Sequence, residues 1–170
     1  MDDPTTNPDS YDDDRQAAGE ILEAELGAIP RRDMLTVAST ESVDAVISKL
    51  NAARIGCALV VDHGVLVGIF TERDVLQRIA GESVDTAALP VCEVMTANPD
   101  SLPHDSTIAF ALNIMSVEGY RHIPLVAEDG APVGVVGMRD IINWMVDVFP
   151  ERVLNVPPVP SSYPKTREGG

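Results

Sequence analysis

The stretch Gly68-Ile69-Phe70-Thr71-Glu72-Arg73-Asp74-Val75-Leu76-Gln77-Arg78 decides the fold, because a matching stretch occurs later in the chain. Sixty-six residues further on, the chain reads Gly134-Val135-Val136-Gly137-Met138-Arg139-Asp140-Ile141-Ile142-Asn143-Trp144. The glycine, the Arg-Asp pair and the apolar positions after that pair recur. Each stretch is typical of a strand that runs directly into a helix.

The residues that precede the two stretches also correspond to each other. Apolar residues recur at helical spacing over 43–50, and adding 65 to each number gives the same pattern over 108–115. The apolar run 59–61 likewise corresponds to 124–126. Because the matched segments occur in the same order, the chain contains an internal duplication.

Each copy predicts the order β-α-β-β-α. An extended entry (35–37; 100–102) precedes a helix capped by Ser39 or Thr40 in the first copy and by Asp105 or Ser106 in the second. Two β-branched runs and a second helix follow; the runs are 57–62 with 65–70, and 121–126 with 132–137. A unit of this size buries little surface alone. We therefore expect an α/β (α+β) fold in which two βαββα repeats pack together.

The ends of the chain differ from the duplicated middle. Residues 1–14 hold six aspartates and no lysine or arginine, which predicts a disordered tail. Residues 21–29 carry apolar side chains at roughly helical spacing, which favours an amphipathic helix that covers the core or a subunit interface. The expected divisions are a disordered acidic tail at 1–16, an N-terminal helix at 17–29, the first repeat at 30–87, the second repeat at 88–150 and a proline-rich disordered tail at 151–170.

Charge and composition exclude several classes of protein. The 170 residues carry 27 acids and 12 lysines or arginines, a formal net charge of −15 that opposes binding to nucleic acid. Residues 34–149 alone hold 15 acids and 6 bases, so the repeats themselves are acidic. No apolar run approaches the ~20 residues of a membrane span. With two cysteines and no signal-like start, we expect a cytoplasmic protein without a membrane partner.

Thr71 and Asp74 allow two interpretations. In the structural one, they form a capping box, with the threonine as N-cap and the acid three residues on. In the functional one, the helix N-terminus attracts phosphate, Arg73 adds a cation, and Asp74 accepts two ribose hydroxyls. The spacing alone is compatible with both.

The two βαββα units, each with Gly-hydrophobic-hydrophobic-x-x-Arg-Asp, resemble a tandem pair of CBS domains, the Bateman module. The resemblance covers roughly residues 29–149. It implies a regulatory sensor that binds an adenine nucleotide or S-adenosylmethionine in clefts between the repeats. It also implies a disc-like homodimer and a regulated partner protein that the sequence does not identify.

The resemblance also implies a set of ligand-binding residues. Thr71 and Asp74 match the motif that holds the ribose, with Arg73 beside them. The other matching positions are Thr36, Val37, Cys57 and Ala58 in the first copy, and Ser101, Arg121, His122, Ile123, Arg139 and Asp140 in the second. In this pattern the backbone of Thr36 and Val37 meets the adenine.

The second copy departs from the family pattern at one position. Gly137 stands where the hydroxyl of Thr71 is expected, so the second ribose site keeps Asp140 but lacks one polar partner. Our hypothesis is that the cleft with Thr71 and Asp74 binds ligand more tightly, and that the cleft with Asp140 is weak or empty.

The acidic repeats affect the choice of ligand. Phosphate must rely on local cations, namely Arg73, Arg121 and Arg139, with His122 as a further candidate. Screening over about 8 Å lets a few adjacent arginines outweigh distant carboxylates. Within the class of AMP, ADP, ATP and S-adenosylmethionine, this favours AMP or S-adenosylmethionine over ATP.

The sequence gives little support for an enzymatic activity. Cys57 lacks a surrounding nucleophile motif, and no spacing of cysteine and histidine predicts a zinc site. We expect no catalytic residue, no metal and no required cofactor. The alternative to a ligand sensor is a dimerisation or scaffold module that binds no ligand. The intact spacing of Thr71 and Asp74 favours the sensor.

Overall fold

A computed structural model describes residues 19–148 of the chain. The tails predicted at 1–16 and 151–170 lie outside the described residues. The strands are β1 (Thr36–Ala38), β2 (Cys57–Asp62), β3 (Val65–Thr71), β4 (Thr96–Ala97), β5 (His122–Val126) and β6 (Pro132–Gly137). The helices are α1 (Val43–Ala53), α2 (Glu72–Arg78), α3 (Ile108–Glu118) and α4 (Met138–Val148), with 3-10 turns at Leu26–Ala28 and Val91–Glu93. The first repeat runs from β1 to α2, and the second runs from Leu102 to α4.

The strands form two sheets. The first has the order β1-β2-β3-β4, and the second holds β5 and β6. β1 runs parallel to β2, whereas the β2–β3, β3–β4 and β5–β6 pairs are antiparallel. The mixed α and β architecture with two βαββα repeats confirms the predicted fold class.

The strand register reproduces the duplication in detail. Val37 lies opposite Val60 in a parallel pairing, and Leu102 lies opposite Leu125 in the same sense. A register shift of the kind that a β-bulge produces follows Val60 in β2 and Leu125 in β5. The members of each pair of positions are 65 residues apart, so the copies share their pairing down to this irregularity.

A 3-10 turn precedes each repeat and packs against the other repeat. Leu26 N–H donates to Ser106 O at 2.8 Å, and Val91 N–H donates to Glu41 O at 2.8 Å. Leu26 is buried in the core of the second repeat, and Val91 is buried in the core of the first. This exchange of turns joins the two repeats into one packed pair.

Each repeat has its own apolar core. In the first, α1 packs on the sheet around Phe70, which is fully buried. In the second, α3 and α4 pack on β5 and β6 around Ile123 and Ile141. Burial of apolar side chains on one face of each helix is what the helical spacing predicted.

The cap predicted for α1 is wrong by two or three residues. The helix begins at Val43, and Ser42 is its N-cap, with Oγ accepting from Ala45 N–H at 3.3 Å. Ser39 instead donates its hydroxyl to Asp62 at 2.8 Å. A cap must stand directly before the first helical residue, so Ser39 and Thr40 are too early in the chain.

The cap predicted for α3 is wrong in the same way. Thr107 is the N-cap, and its Oγ1 accepts from Phe110 N–H at 3.3 Å. Asp105 and Ser106 lie in the turn before it. The error recurs because the two copies enter their helices with the same geometry.

The N-terminal helix ends at residue 23, six residues before the predicted end at 29. Within the described residues, the helix covers 19–23, and the 3-10 turn follows. Leu26 N–H and Gly27 N–H donate to the second repeat instead of to a helix of their own. Leu26 and Ile29 are buried in the core of the second repeat, whereas Leu22 is exposed.

The extended entry predicted at 100–102 forms a single bridge, between Leu102 and Leu125. The strand in that region is β4, which pairs with Gly68 and Ile69 of β3. The chain therefore reaches the second repeat along the edge of the first sheet.

Candidate ligand-binding clefts

A cleft of about 430 Å³ lies between the two repeats, next to the N-terminus of α2. It is referred to below as the Asp74 cleft. Its lining includes Gly56, Ile69, Thr71, Glu72, Arg73, Asp74, Leu76, Arg78, Thr96, Pro99, Asp100, Tyr120, Arg121 and His122. The volume falls within the range of about 300–1,000 Å³ that is usual for small-molecule sites.

Thr71 and Asp74 form a capping box at the start of α2. Thr71 Oγ1 accepts from Asp74 N–H at 3.3 Å, and Asp74 Oδ2 accepts from Thr71 N–H at 2.9 Å. The Thr71 hydroxyl also donates to Asp74 Oδ2, at 2.7 Å. The structural interpretation of this motif is confirmed, and the box holds the carboxylate in a fixed orientation at the cleft wall.

The other carboxylate oxygen of Asp74, Oδ1, makes only long contacts. Asp74 Oδ1 lies 3.5 Å from Thr96 Oγ1 and 3.5 Å from Arg78 Nε, both at the limit of a hydrogen bond. The residue is only 5% exposed, and it is the one buried charged residue in the described part of the chain. Since a carboxylate can accept about four hydrogen bonds, Asp74 keeps the capacity to accept hydroxyl groups.

The arginines of the cleft differ in the hydrogen bonds and ion pairs that they make. Arg73 reaches across to the second repeat, where its Nη1 donates to Gly119 O at 3.0 Å. Arg78 donates to Val94 O at 2.9 Å and also pairs with Asp74. Among the described residues of the cleft, Arg121 is the arginine whose guanidinium makes neither a hydrogen bond nor an ion pair. It is exposed at the rim and is the cation best placed to meet a phosphate.

His122 does not act as a further cation at neutral pH. Burial lowers its pKa below 6.5, although the nearby carboxylates of Asp140 and Glu72 act in the opposite direction. His122 is one of the cations predicted to meet a phosphate, and its burial argues against that role. The imidazole is half-buried and offers a neutral hydrogen-bonding edge to the cleft.

Tyr120 of the second repeat and Asp100, which lies just before that repeat, contribute a polar pair to the cleft. A hydrogen bond to the Asp100 carboxylate raises the pKa of the Tyr120 phenol, with a further contribution from burial. The phenol is therefore protonated at neutral pH, and its ring forms part of the cleft wall. The carboxylate of Asp100 adds negative charge to this side of the cleft.

Cys57 lies at the start of β2 and is buried. Burial raises the pKa of its thiol to about 12, and the charges of Asp140 and Glu72 act in the same direction. The group is therefore a thiol at neutral pH, and not the thiolate that nucleophilic catalysis requires.

The structure groups the predicted residues differently from the resemblance. Arg121 and His122, which were grouped with Asp140, line the Asp74 cleft together with Thr71 and Arg73. The reason is that each cleft takes one wall from each repeat. Residues from the predicted set that line neither cleft are Thr36, Val37, Cys57, Ala58, Ser101, Ile123 and Arg139. Val37, Cys57, Ala58 and Ile123 are buried, so only their backbone is left for a ligand contact, and that contact stays a prediction.

The second cleft, beside Asp140, is much smaller. It encloses about 20 Å³. Asp140 Oδ2 accepts from Gly137 N–H at 2.9 Å, and Oδ1 lies 2.5 Å from Arg32 Nε. Arg32 comes from the segment before β1, so the chain's own side chain occupies the approach to the second carboxylate.

The polar residues of the Asp74 cleft that sequence reasoning missed include Arg78, Thr96, Asp100 and Tyr120, and in the second cleft it missed Arg32. Arg78 had a visible signal, because it follows Asp74 by four residues, which is the spacing of an ion pair on a helix. Thr96, Asp100 and Tyr120 had no such signal. Their place in the cleft depends on how the second repeat packs against the first.

The family model for the CBS domain matches residues 26–81 and 91–147. The chain belongs to the CBS-domain family. Both matches begin at the 3-10 turns that cross between the repeats, at Leu26 and Val91. The predicted pair of CBS domains is thereby confirmed.

The chain is similar to CBS proteins from several organisms. The CBS domain-containing protein CBSCBSPB1 of Arabidopsis thaliana is 36% identical over 113 residues, which are 66% of this chain and 21% of that protein. The chain thus spans about a fifth of that relative. The crystal structure of the CBS-domain protein ATU1752 from Agrobacterium tumefaciens matches with a TM-score of 0.60 and 34% identity, covering 66% of this chain and 89% of the other.

A second solved CBS structure shares the fold. The CBS domain protein PAE2072 from Pyrobaculum aerophilum, which was solved as a complex with AMP, matches with a TM-score of 0.63 and 22% identity. The match covers 69% of this chain and 89% of the other. At this identity it shows the CBS fold alone.

Residues 19–148 of the CBS pair show neither a membrane-spanning helix nor a cluster of metal ligands. Within this range there is no helix with the length and apolar character needed to cross a bilayer. The same residues contain no group of three or more histidine, cysteine, aspartate or glutamate side chains that is able to hold a metal ion.

Proposed function

We propose that this CBS pair is a regulatory module that binds one adenosine-type ligand in the Asp74 cleft. The candidate ligands are AMP, ADP, ATP and S-adenosylmethionine. The observation that carries the proposal is a buried carboxylate, fixed by the Thr71 box, with free acceptor capacity on a cleft of about 430 Å³.

The groups around the cleft suit the parts of such a ligand. Asp74 accepts the two ribose hydroxyls, because vicinal hydroxyls match the two acceptor directions of a carboxylate. Arg121 at the rim meets the phosphate. Ile69, Pro99 and the Tyr120 ring offer the apolar surface that an adenine base needs. The AMP complex of the Pyrobaculum aerophilum protein supports this choice of ligand.

The charge of the cleft favours a ligand with few negative charges. Three carboxylates line it, and three arginines oppose them. Of those arginines, Arg73 and Arg78 already donate to backbone carbonyls. One guanidinium is left for phosphate, which suits AMP or the zwitterionic S-adenosylmethionine better than ATP.

Ligand binding in this cleft is linked to the packing of the two domains. Asp74 belongs to the first domain, and Tyr120 and Arg121 belong to the second, so a ligand that contacts both favours one relative arrangement. Arg73 already bridges the same gap through Gly119. Any partner protein that distinguishes the two arrangements then responds to the ligand.

A thermal-shift screen against AMP, ADP, ATP and S-adenosylmethionine tests the proposal. A ligand present at about 100 times its Kd adds about 2.7 kcal/mol to the free energy of unfolding, which is a readily measured shift in Tm. We expect the largest shift with AMP or S-adenosylmethionine. No shift with any of the four contradicts the proposal and favours a scaffold without a ligand.

We further propose that the chain forms a homodimer through the helices of the second domain. Phe110 and Val117 of α3 are 53% and 70% exposed, and Ile142 of α4 is 52% exposed. The neighbouring helices thus present an apolar face that a second copy can cover. Light scattering tests this: Val117→Glu should give a monomer, while Ala52→Glu, 65 residues earlier, should leave the dimer intact.

The setting of the proposed sensor is the cytoplasm, where it acts on a regulated protein and not on nucleic acid or a membrane. Both cysteines, Cys57 and Cys92, are free thiols, which suits a reducing compartment. The net charge of −15 opposes contact with phosphate backbones and anionic lipid.

A further inference from the structure

The two helix-capping aspartates each face an arginine, but the arginines come from different places in the chain. Asp74 Oδ1 lies 3.5 Å from Nε of Arg78, one turn further along the same helix. Asp140 Oδ1 lies 2.5 Å from Nε of Arg32, which belongs to the segment before β1. The residue one turn after Asp140 is Trp144, which has no charge to offer.

The two arginines are held to different degrees. Arg78 donates to Val94 O at 2.9 Å and to Met95 O at 2.5 Å, which fixes its guanidinium beside the cleft wall. Arg32 makes no other hydrogen bond or ion pair in the described part of the chain, and its side chain is 54% exposed. Breaking one contact is therefore enough to release Arg32.

The position of Arg32 explains the difference in space between the clefts. The offset of 65 that relates Val37 to Leu102 relates Arg32 to Ala97, at the end of β4. Ala97 has only a methyl side chain and does not line the Asp74 cleft, of which about 430 Å³ stay open. The second cleft has a long cation at this position, and about 20 Å³ stay open.

We propose that Arg32, a residue of the same chain, occupies the second cleft and closes it by pairing with Asp140. This proposal rests on the proposed function, because it assigns Asp140 the same role towards a ribose that Asp74 has. The guanidinium takes the carboxylate oxygen that ligand hydroxyls need, so a second adenosine ligand enters only when the Arg32–Asp140 pair breaks. The chain is thereby limited to one ligand while its fold retains two clefts.

Isothermal titration calorimetry with AMP tests the proposal on the full chain. Wild type is expected to bind one AMP per chain, and Arg32→Ala is expected to bind two, the second more weakly because Gly137 supplies no hydroxyl. Arg31→Ala is the matched control: Arg31 also lines this cleft but makes no ion pair, and this variant should bind one. The double variant Arg32→Ala with Asp140→Asn should return to one.

The outcomes separate the two proposals. One AMP per chain in both wild type and Arg32→Ala, with both proteins folded by circular dichroism, overturns the role of Arg32 and leaves the proposed function standing. No AMP in either protein overturns both. Two AMP molecules in wild type also overturn the role of Arg32, because they show that the second cleft is open while the pair is intact.

Discussion

The two clefts of this CBS pair share their backbone geometry but differ in the side chains beside the aspartate. In both, a strand runs into a helix whose third residue is an aspartate that accepts the amide hydrogen bond of the residue before the helix. That preceding residue is Thr71 in the first domain and Gly137 in the second. One cleft encloses about 430 Å³, whereas the other encloses about 20 Å³ and has Arg32 paired with its aspartate. A duplicated fold can thus keep the backbone geometry of both sites while side chains make one cleft much smaller than the other.

The helices show a similar divergence on their outer faces. Phe110 and Val117 are exposed on α3, and the offset of 65 places alanines at the corresponding positions of α1, Ala45 and Ala52. The larger cleft therefore lies beside Asp74 of the first domain, and the exposed apolar surface is larger in the second. We interpret this as a division of roles between ligand binding and subunit contact.

The largest effect is expected from a core residue of the first domain, whose side chain is larger than that at the matching position of the second domain. Phe70 and Val136 occupy matching register positions, opposite Ala58 and Ile123, and both are buried. Phe70→Ala should lower the free energy of unfolding by about 3–5 kcal/mol, because it leaves a large cavity. Val136→Ala removes fewer atoms and should cost less. Urea unfolding measures both, and an equal or larger loss for Val136→Ala contradicts the comparison.

A smaller effect is expected from the rim of the Asp74 cleft. Arg121→Ala should weaken AMP binding about tenfold, since one charge-assisted hydrogen bond at an exposed position contributes about 1.5 kcal/mol. Binding of adenosine, which lacks the phosphate, should not change. Arg139→Ala is the control, because Arg139 lines neither cleft. An equal loss for adenosine and AMP in Arg121→Ala, or a larger loss of AMP binding in Arg139→Ala, argues against the phosphate contact.

The smallest expected effect concerns His122, which lies close to both aspartate sites. Its native pKa is lowered from 6.5 by burial, so the unfolded chain takes up a proton first as the pH falls. The free energy of unfolding should therefore decrease as the pH drops below 6.5, by less than about 1.4 kcal/mol per unit of pKa difference.

Urea unfolding at about pH 7.5 and about pH 5.5 measures the contribution of His122. His122→Gln should reduce the loss of stability on acidification, whereas His63→Gln, at an exposed turn, should retain it. A loss of the same size in His122→Gln and wild type means that other groups cause the decline.

Much of the fold was predictable because it is local or repeated. The duplication with offsets of 65 and 66 predicted β2, β3, β5 and β6 to within a residue, and it predicted the helices on their apolar spacing. The capping box at Thr71 followed from a spacing of three residues. The helix caps Ser42 and Thr107 were missed because several hydroxyl-bearing residues precede each helix, and sequence alone does not say which stands next to the first turn.

The less predictable features are those that depend on distant packing. β4 has two residues, too few for a periodic pattern, and its partner is β3 of the first domain. The crosswise cleft, with Arg121 facing Asp74, follows from the 3-10 turns that pass between the domains. Arg32 was missed for the same reason, because nothing near it in sequence points to Asp140.

The most direct test of the central claim compares two variants by calorimetry with AMP. Asp74→Ala and Asp140→Ala each remove the carboxylate from one cleft, and circular dichroism with Tm confirms that each variant is folded. We predict that Asp140→Ala retains the wild-type affinity for its first AMP, while Asp74→Ala loses detectable binding. Wild-type affinity in Asp74→Ala together with loss of binding in Asp140→Ala would contradict the assignment of the ligand to the Asp74 cleft.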